Sequence, residues 1–185
     1  MNFLADPSGN RSRTIELTSE EIGRLGKAKI IFGFPTIGKS TLAREDDTFR
    51  DVDEGNLRAA LGGLPRDHPI SVEAMKEAMK YWVNEGKVPI TNSVGLITYA
   101  NKMGWKPVVV LPAYSSDVAV NRVLKRDNKG KEFAVQLRNN WDEWIHDAEI
   151  LAERYSAPLY TVMTLSELLK DHKYSTPDGA EVSKR

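Results

Sequence analysis

Eight consecutive residues in the first quarter of the chain have the composition and spacing of a phosphate-binding loop. Residues 33–40 are Gly-Phe-Pro-Thr-Ile-Gly-Lys-Ser, so a lysine and a hydroxyl directly follow the second glycine. Glycines let a backbone curl until successive N–H groups point at phosphate oxygens. We expect Lys39 to reach the β- and γ-phosphates of ATP and the hydroxyl of Ser40 to ligate Mg²⁺.

The segments on either side of residues 33–40 are those that such a loop requires. The apolar run of residues 27–32 predicts a buried parallel strand, and residues 39–45 should open a helix. A helix that begins at the loop adds the positive end of its dipole to the site, and this context favours a functional loop over a plain glycine turn. The predicted nucleotide-binding residues are Gly33, Phe34, Pro35, Thr36, Ile37, Gly38, Lys39, Ser40 and Thr41.

An acidic pair follows the second predicted strand, which covers residues 48–52. Asp51 and Asp53 lie at its carboxyl end, and open α/β sheets bind ligands beyond the carboxyl ends of their strands. Either carboxylate could accept the proton of an attacking hydroxyl or hold Mg²⁺. An acidic turn in solvent is the structural alternative. The pattern does not separate the two aspartates, because the strand boundary is uncertain by a few residues.

The third predicted strand, residues 88–91, ends without an acidic residue that could serve as a second metal ligand. The chain continues there with Asn92 and Ser93. This leaves the aspartate pair of the second strand as the acidic group for the metal. Asn92 and Ser93 could orient a metal-bound water or cap the following helix, and the sequence leaves both roles open.

Two arginines farther along the chain are spaced for one face of a helix. Arg122 and Arg126 lie at positions i and i+4, just before a polar break at residues 127–130. Guanidinium groups that close over phosphates neutralise their charge and exclude water, so we predict a cationic lid here. With Lys39 and the aspartate pair, these arginines complete the predicted catalytic set. A solvated basic face is the structural alternative, and Arg138 is a weaker candidate for the same cluster.

Alternating strands and helices must position these groups. Further strands are predicted over residues 107–111 and 159–163, and further helices over residues 71–84, 94–103, 132–155 and 165–169, with residues 115–117 capping the helix that carries the two arginines. Such alternation indicates a parallel sheet covered on both faces, a three-layer α/β domain. We expect Ser71 to cap the helix of residues 71–84, and Trp141 and Trp144 to pack in the core. The three histidines, His68, His146 and His172, show no ligand spacing and are expected to be structural or surface residues.

The composition is typical of a globular protein with a single domain. The 185 residues are 41% hydrophobic and 28% charged, and 26 basic side chains balance 26 acidic ones. The zero net charge gives no overall footprint for nucleic acid, and the lack of cysteine excludes disulfides and thiolate chemistry. We expect an N-terminal extension over residues 1–26, a catalytic domain over 27–171 and a flexible tail over 172–185. With no apolar run of membrane-spanning length and no signal-peptide pattern, we expect a cytoplasmic location and no membrane partner.

Together these motifs resemble the small phage-type P-loop nucleotide and polynucleotide kinases. The shared pattern is a Gly-aromatic-Pro-x-x-Gly-Lys-Ser loop, an Asp-x-Asp, an Arg-x-x-x-Arg lid, a Phe and an Asn-Trp-Asp-x-Trp-Ile helix. This sequence has these motifs at residues 33–40, 51–53 and 122–126, at Phe133 and at residues 140–145. The resemblance covers about residues 27–170. It implies a P-loop kinase fold with a five-stranded parallel sheet and a small lid, ATP and Mg²⁺ as cofactors, and a nucleotide-type acceptor.

The resemblance implies two kinds of acceptor. One type of kinase phosphorylates free deoxynucleoside monophosphates, and the other phosphorylates the hydroxymethyl group of 5-hydroxymethyluracil in DNA on the way to hypermodified bases. A phage enzyme of either type would act in the host cytoplasm. An alcohol needs a positioned carboxylate, whereas a phosphate acceptor needs arginines instead. The segment from the second to the third strand opens with three acidic residues, and its only arginines are Arg58 and Arg66. This balance favours the DNA acceptor, with Asp51 or Asp53 as the base, over the monophosphate kinase.

Two hypotheses from other functional classes remain open on the sequence. An NTP hydrolase would use water as the acceptor and needs a glutamine or glutamate that orients it, which the sequence does not identify. A nucleotide-binding assembly factor would bind ATP without catalysis. The acidic strand end and the predicted cationic lid favour a kinase over both.

Overall fold

The computed structural model describes residues 29–52, 62–126 and 130–166. In chain order, the elements within these ranges are β1 (Ile30–Gly33), α1 (Lys39–Glu45), β2 (Phe49–Asp51), α2 (Pro69–Asn84), β3 (Val88–Thr91), α3 (Val94–Lys102), β4 (Pro107–Pro112), α4 (Ser116–Arg126), α5 (Gly130–Arg154) and β5 (Leu159–Val162). The predicted N-terminal extension and C-terminal tail lie outside the described residues, and so do Asp53, Arg58 and His172.

The five strands form one parallel sheet in the order β2-β3-β1-β4-β5. Helices pack on both faces of this sheet. The predicted three-layer α/β architecture with a five-stranded parallel sheet is therefore confirmed. Because all strands run in the same direction, their carboxyl ends meet at one edge, where such sheets bind ligands.

The strand residues alternate between two hydrophobic cores, one on each face of the sheet. Ile30 and Phe32 of β1 pack beneath helices α2 to α5, whereas Ile31 packs on the other face with Leu42 of α1. Successive side chains of a strand point to opposite faces. Since both faces are covered, every residue of β1, β3 and β4 is buried. This explains why these strands are continuous apolar runs in the sequence.

The start of α2 differs from the prediction. Ser71 does not cap this helix, which begins two residues earlier at Pro69. The cap is His68, whose Nδ1 accepts a hydrogen bond from the N–H of Ile70 at 3.2 Å. A proline is favoured at the first helical position because it has no N–H to satisfy. His68 thus has the structural role expected of it, and Ser71 is buried in the first turn.

Helix α5 is the longest described element, at 25 residues. Leu137, Trp141 and Ile145 lie on its buried stripe, as the periodicity predicts. Trp144 is only partly buried. Charged residues interrupt the helix throughout, and no helix in the described ranges is long and apolar enough to cross a membrane.

The turn between α1 and β2 is fixed by an ion pair that acid should weaken. Asp47 accepts hydrogen bonds from Lys87 and, at 2.6 Å, from Arg50. These bonds, with Lys87 the larger cause, lower the pKa of Asp47 from 3.8 to about 2. A depressed pKa of the folded state means that the carboxylate stabilises the fold above about pH 4 and that this contribution is lost as the pH falls toward 2.

We therefore expect Asp47→Asn to flatten the loss of stability between about pH 4 and pH 2. Urea unfolding at several pH values measures the effect. The control is Asp142→Asn, which removes an exposed carboxylate on α5, away from this ion pair. An unchanged slope in the Asp47 variant would contradict the assignment.

Candidate active site

The loop of residues 33–40 joins β1 to α1 at the carboxyl edge of the sheet. β1 lies at the centre of the sheet, between β3 and β4. After β1 the chain crosses to β2 on one side, and after β4 it crosses to β5 on the other. The loop therefore lies at a topological switch point, where open α/β sheets bind their ligands.

Two residues of the loop have left-handed backbone conformations. Gly38, which precedes α1, has a φ of 94°, a region that glycine enters without steric cost. Thr36 has a φ of 74°, which is rare for a β-branched residue and costs about 1–3 kcal/mol. Thr36 is the third residue of a turn that the N–H of Ile37 closes onto the carbonyl of Phe34 at 3.2 Å. The positive φ at the third residue makes this a type II turn, in which proline is common in second position.

The side chain of Lys39 crosses the backbone of β1. A Cβ atom built on Gly33 would lie 3.0 Å from Cγ of Lys39 and 3.1 Å from Cγ2 of Ile90. A side chain at position 33 would therefore require the lysine stem or Ile90 to shift by a few tenths of an ångström. Lys39 thus lies along the carboxyl edge of the sheet, and Ser40 follows it in the first turn of α1. Thr41 is exposed on the outer side of α1, with its hydroxyl 3.5 Å from Arg44.

Asp51 is the last residue of β2 and is buried, with 7% of its surface exposed. It pairs in the sheet with Ile90. Ile90 and the stem of Lys39 both lie beside Gly33 on one face of the sheet, where a Cβ atom built on Gly33 would approach each of them. Phe49, two positions earlier on β2, packs in the core on the α1 side of the sheet, and residues two apart share a face. Asp51 and Lys39 therefore belong to the same face and the same edge. Its predicted partner Asp53 lies outside the described residues.

Tyr114 and Arg122 hold Thr36 from the side of β4 and α4. The Tyr114 hydroxyl donates to the Thr36 carbonyl at 2.9 Å, and the Thr36 hydroxyl lies 2.9 Å from the same phenol oxygen. Arg122 donates through Nη1 to the carbonyls of Thr36 at 3.2 Å and Met163 at 3.1 Å. Its guanidinium carbon lies 4.1 Å from the centroid of the Tyr114 ring. Arg122 therefore contacts the loop through the main-chain carbonyl of Thr36.

Three further contacts fix the loop to its surroundings. The N–H of Phe34 donates to Val110 of β4 at 3.3 Å, and the N–H of Leu165 donates to the carbonyl of Ile37 at 3.0 Å. The ring of Phe34 meets Trp141 edge to face, with centroids 5.0 Å apart. The loop is therefore tied to β4, to α5 and to the segment after β5.

The other arginines of the predicted lid lie away from the loop contacts. Arg126 is exposed at the last residue of α4, directly before residues 127–129, which the structure does not describe. Arg138 is exposed on α5, where it lies 3.5 Å from Asp117 of α4. This pair joins the outer surfaces of two helices, so the structure does not bring Arg138 to the loop. The lid role of Arg126 stays a prediction.

Ser93 has the structural role that the sequence left open. Its hydroxyl accepts a hydrogen bond from the N–H of Leu96 at 3.3 Å and caps α3. The N–H of Ser93 in turn donates to the hydroxyl of Thr91 at 3.1 Å. Asn92, between them, faces the pocket described next.

A pocket of about 340 Å³ opens beside the loop, on the face of the sheet that carries α2 to α5. Its lining residues are Phe32, Phe34, Pro35, Arg66, Asn92, Val94, Phe133, Trp144, Asp147 and Ala148. The rings of Phe133 and Trp144 are nearly parallel, with centroids 6.4 Å apart. This volume falls at the lower end of the range for small-ligand pockets, about 300–1,000 Å³. Aromatic walls with a few polar groups suit a planar polar ring such as a nucleobase.

Two residues at the carboxyl edge of the sheet carry oxygen atoms of the kind that Mg²⁺ prefers. Mg²⁺ prefers oxygen ligands, and in nucleotide sites it takes one or two from the protein and the rest from phosphates and water. The hydroxyl of Ser40 and the carboxylate of Asp51 are oxygen donors of this kind. Across residues 29–52, 62–126 and 130–166, no group of three or more histidine, aspartate or glutamate side chains could hold a metal by itself.

No protein-family model matches this chain, and no curated protein is similar to it at a significant level. We therefore base its function on its own residues and their geometry.

Two features of the site were not predicted from the sequence. Tyr114 gave no signal by type, although its position just after the β4 strand at the binding edge could have marked it. Trp144 packs against the core that contains Trp141, as expected, but it also lines the pocket beside Phe133, which was not predicted. A helical stripe shows which residues turn inward and not whether they meet a core or a cavity.

Proposed function

We propose that this protein is an ATP-dependent kinase that phosphorylates a nucleotide-type hydroxyl, with the hydroxymethyl group of 5-hydroxymethyluracil in DNA as its preferred acceptor. The observation that carries the proposal is the loop of residues 33–40 at the switch point, with the stem of Lys39 packed across Gly33. A lysine side chain at this edge of the sheet neutralises negative charge on the phosphates during transfer of the γ-phosphoryl group.

We assign the individual residues the following roles in this transfer. Backbone N–H groups of the loop bind the phosphates. Ser40, with Asp51 where that carboxylate does not act as the base, would hold Mg²⁺, which would neutralise phosphate charge when bound. The acceptor oxygen bonds to the γ-phosphorus as the bond from that phosphorus to the oxygen bridging to the β-phosphate breaks. Asp51 or Asp53 accepts the acceptor's proton, and ADP leaves. Arg126 is the candidate for a lid group over the transferred phosphate.

The pocket beside the loop supports a base as part of the acceptor. Phe133 and Trp144 offer faces on which a ring can stack, and Asn92 adds a polar amide to the lining of the pocket. A base within duplex DNA would have to flip out of the stack to enter the pocket. Its hydroxymethyl group would then point toward the loop.

We expect Trp144→Ala to raise KM for the acceptor about tenfold or more, because stacking contributes about 1–3 kcal/mol per base. The dissociation constant for ATP should stay unchanged, since Trp144 lies in the pocket and not in the loop. Steady-state kinetics and calorimetry measure the two quantities. Trp144→Phe should retain most of the affinity because it keeps an aromatic face.

Trp105→Ala is the matched control for this experiment. Trp105 is also partly buried, but it packs against Tyr99 at the opposite end of β4, with centroids 5.8 Å apart. Its loss should lower stability without a specific effect on the acceptor. Equal acceptor KM values for Trp144→Ala and wild type would remove the pocket from the acceptor site.

A deoxynucleoside monophosphate kinase is the second candidate, and Arg66 favours it. This side chain lines the pocket and could bind the phosphate of a free nucleotide acceptor. The test is a mixture of γ-labelled ATP, DNA that contains 5-hydroxymethyluracil and free deoxynucleoside monophosphates. Label in the DNA supports the preferred proposal, whereas label only in free diphosphates would establish the second candidate instead.

A further inference from the structure

The strained conformation of Thr36 needs contacts that maintain it. A β-branched residue at a φ of 74° is disfavoured in an isolated chain, and Thr36 lies inside the loop that should bind phosphate. If the loop relaxed, the nucleotide would have to restore this conformation on binding, and the apparent affinity would fall. Residues that hold Thr36 in place therefore bear directly on nucleotide affinity.

Two side chains from outside the loop converge on the carbonyl of Thr36. The Tyr114 hydroxyl gives its proton to this oxygen, so the Thr36 hydroxyl is the donor in the second bond between the two residues. Arg122 donates to the same carbonyl and to Met163. Both the main-chain carbonyl and the side-chain hydroxyl of Thr36 are therefore held by hydrogen bonds.

The two side chains also support one another. The Arg122 guanidinium stacks on the Tyr114 ring, at 4.1 Å from the centroid, and Tyr114 is buried, with 2% of its surface exposed. The Tyr114 ring further packs against Trp141 of α5, with centroids 6.3 Å apart. Burial raises the pKa of Tyr114 above its ordinary value, so the phenol keeps the proton that it donates at neutral pH.

We propose that Tyr114 and Arg122 are positioning residues that hold Thr36 in its left-handed conformation and keep the phosphate loop pre-formed for ATP. Arg122 acts through the loop and does not bind the transferred phosphate. The expected effect on ATP affinity rests on the proposed function. The structural part of the inference, the order of the loop, can be tested without any nucleotide.

The experiment is a double-mutant cycle between Tyr114→Phe and Thr36→Gly. Tyr114→Phe removes the hydrogen bonds and keeps the ring, and we expect the dissociation constant for ATP to rise about five- to tenfold. Thr36→Gly removes the backbone strain at position 36, because glycine adopts a positive φ freely. The Tyr114 hydroxyl is then no longer needed to hold a strained residue in place. In the Thr36→Gly background, Tyr114→Phe should therefore change ATP affinity by less than about twofold. Equal effects in both backgrounds would overturn the proposal.

Hydrogen exchange of the loop amides without nucleotide separates this inference from the proposed function. In Tyr114→Phe, the amide of Ile37, which closes the turn, should exchange faster than in wild type, and Thr36→Gly should suppress this difference. That outcome supports the positioning role even if the protein shows no kinase activity. Unchanged exchange in Tyr114→Phe would overturn the role even if wild type is an active kinase.

Arg122 provides the kinetic contrast. If Arg122 is a positioning residue, Arg122→Ala should raise KM for ATP and leave kcat at saturating ATP within about twofold of wild type. Loss of an arginine that contacts the transferred phosphate would instead lower kcat by about 10³-fold or more. Thr36→Gly should again reduce the effect on KM. A large loss of kcat that Thr36→Gly does not reduce would contradict the proposal.

Discussion

Replacing Lys39 with alanine should lower the rate of phosphoryl transfer from ATP by roughly 10²- to 10³-fold. Lys39 is the only charged residue in the loop of residues 33–40. In the proposed function its ammonium group neutralises the β- and γ-phosphates, and no other residue of the loop can supply this charge. Alanine is a strong helix former, so the first turn of α1 should survive the change. Turnover with labelled ATP and thermal unfolding measure the two effects separately.

The control for this substitution is Lys106→Ala. Lys106 is exposed just before β4, and its carbonyl accepts hydrogen bonds from the main-chain N–H groups of Lys29 and Ile30. Its side chain lies at the opposite edge of the sheet from the loop. Wild-type turnover in Lys39→Ala, together with wild-type ATP affinity, would end the kinase proposal.

The second large effect is expected at the acidic pair. Asp51→Asn should lower kcat by about a hundredfold or more, whether the carboxylate acts as base or holds the metal, because each role acts on the transferred phosphoryl group or its acceptor. Asparagine keeps the size of the buried side chain, and thermal unfolding checks that the fold survives. Activity as a function of Mg²⁺ concentration and pH distinguishes the two roles.

Asp53→Asn is the companion variant. If Asp51 holds the metal, Asp51→Asn raises the Mg²⁺ requirement, and Asp53→Asn removes the acid limb of the pH–rate profile. If Asp51 is the base, the acid limb disappears in Asp51→Asn. Wild-type turnover in both variants would contradict a hydroxyl acceptor that needs a base, and it would favour a phosphate acceptor.

The fold was predictable because its signals are local. The run that became β1 is continuously apolar, and the helix start at Lys39 follows a glycine, so the strand–loop–helix order can be derived from the sequence. The alternation of elements then leads to a parallel sheet covered on both faces. The predicted start of α2 was two residues too late. Pro69 at the first position and the His68 cap outweigh the capping pattern that Ser71 suggested.

The candidate site was predictable only in part because its remaining features depend on contacts between distant segments. The spacing of Arg122 and Arg126 indicates one helix face but cannot show that Arg122 meets the carbonyl of Thr36, which lies 86 positions away in the chain. The strain at Thr36 is equally hidden, because Pro35 suggests a turn without showing which contacts hold it. These features required coordinates.

The central claim is that phosphate moves from ATP to a nucleotide-type acceptor and not to water. The most direct measurement follows the label of γ-labelled ATP in the presence of Mg²⁺ and DNA that contains 5-hydroxymethyluracil, with thymine DNA of the same sequence as the control. We predict label in the hydroxymethyluracil DNA alone, and a rate of labelling roughly 10²- to 10³-fold lower with Lys39→Ala. Label that stays in ATP, or that appears only as inorganic phosphate at equal rates with and without any nucleotide acceptor, would contradict it.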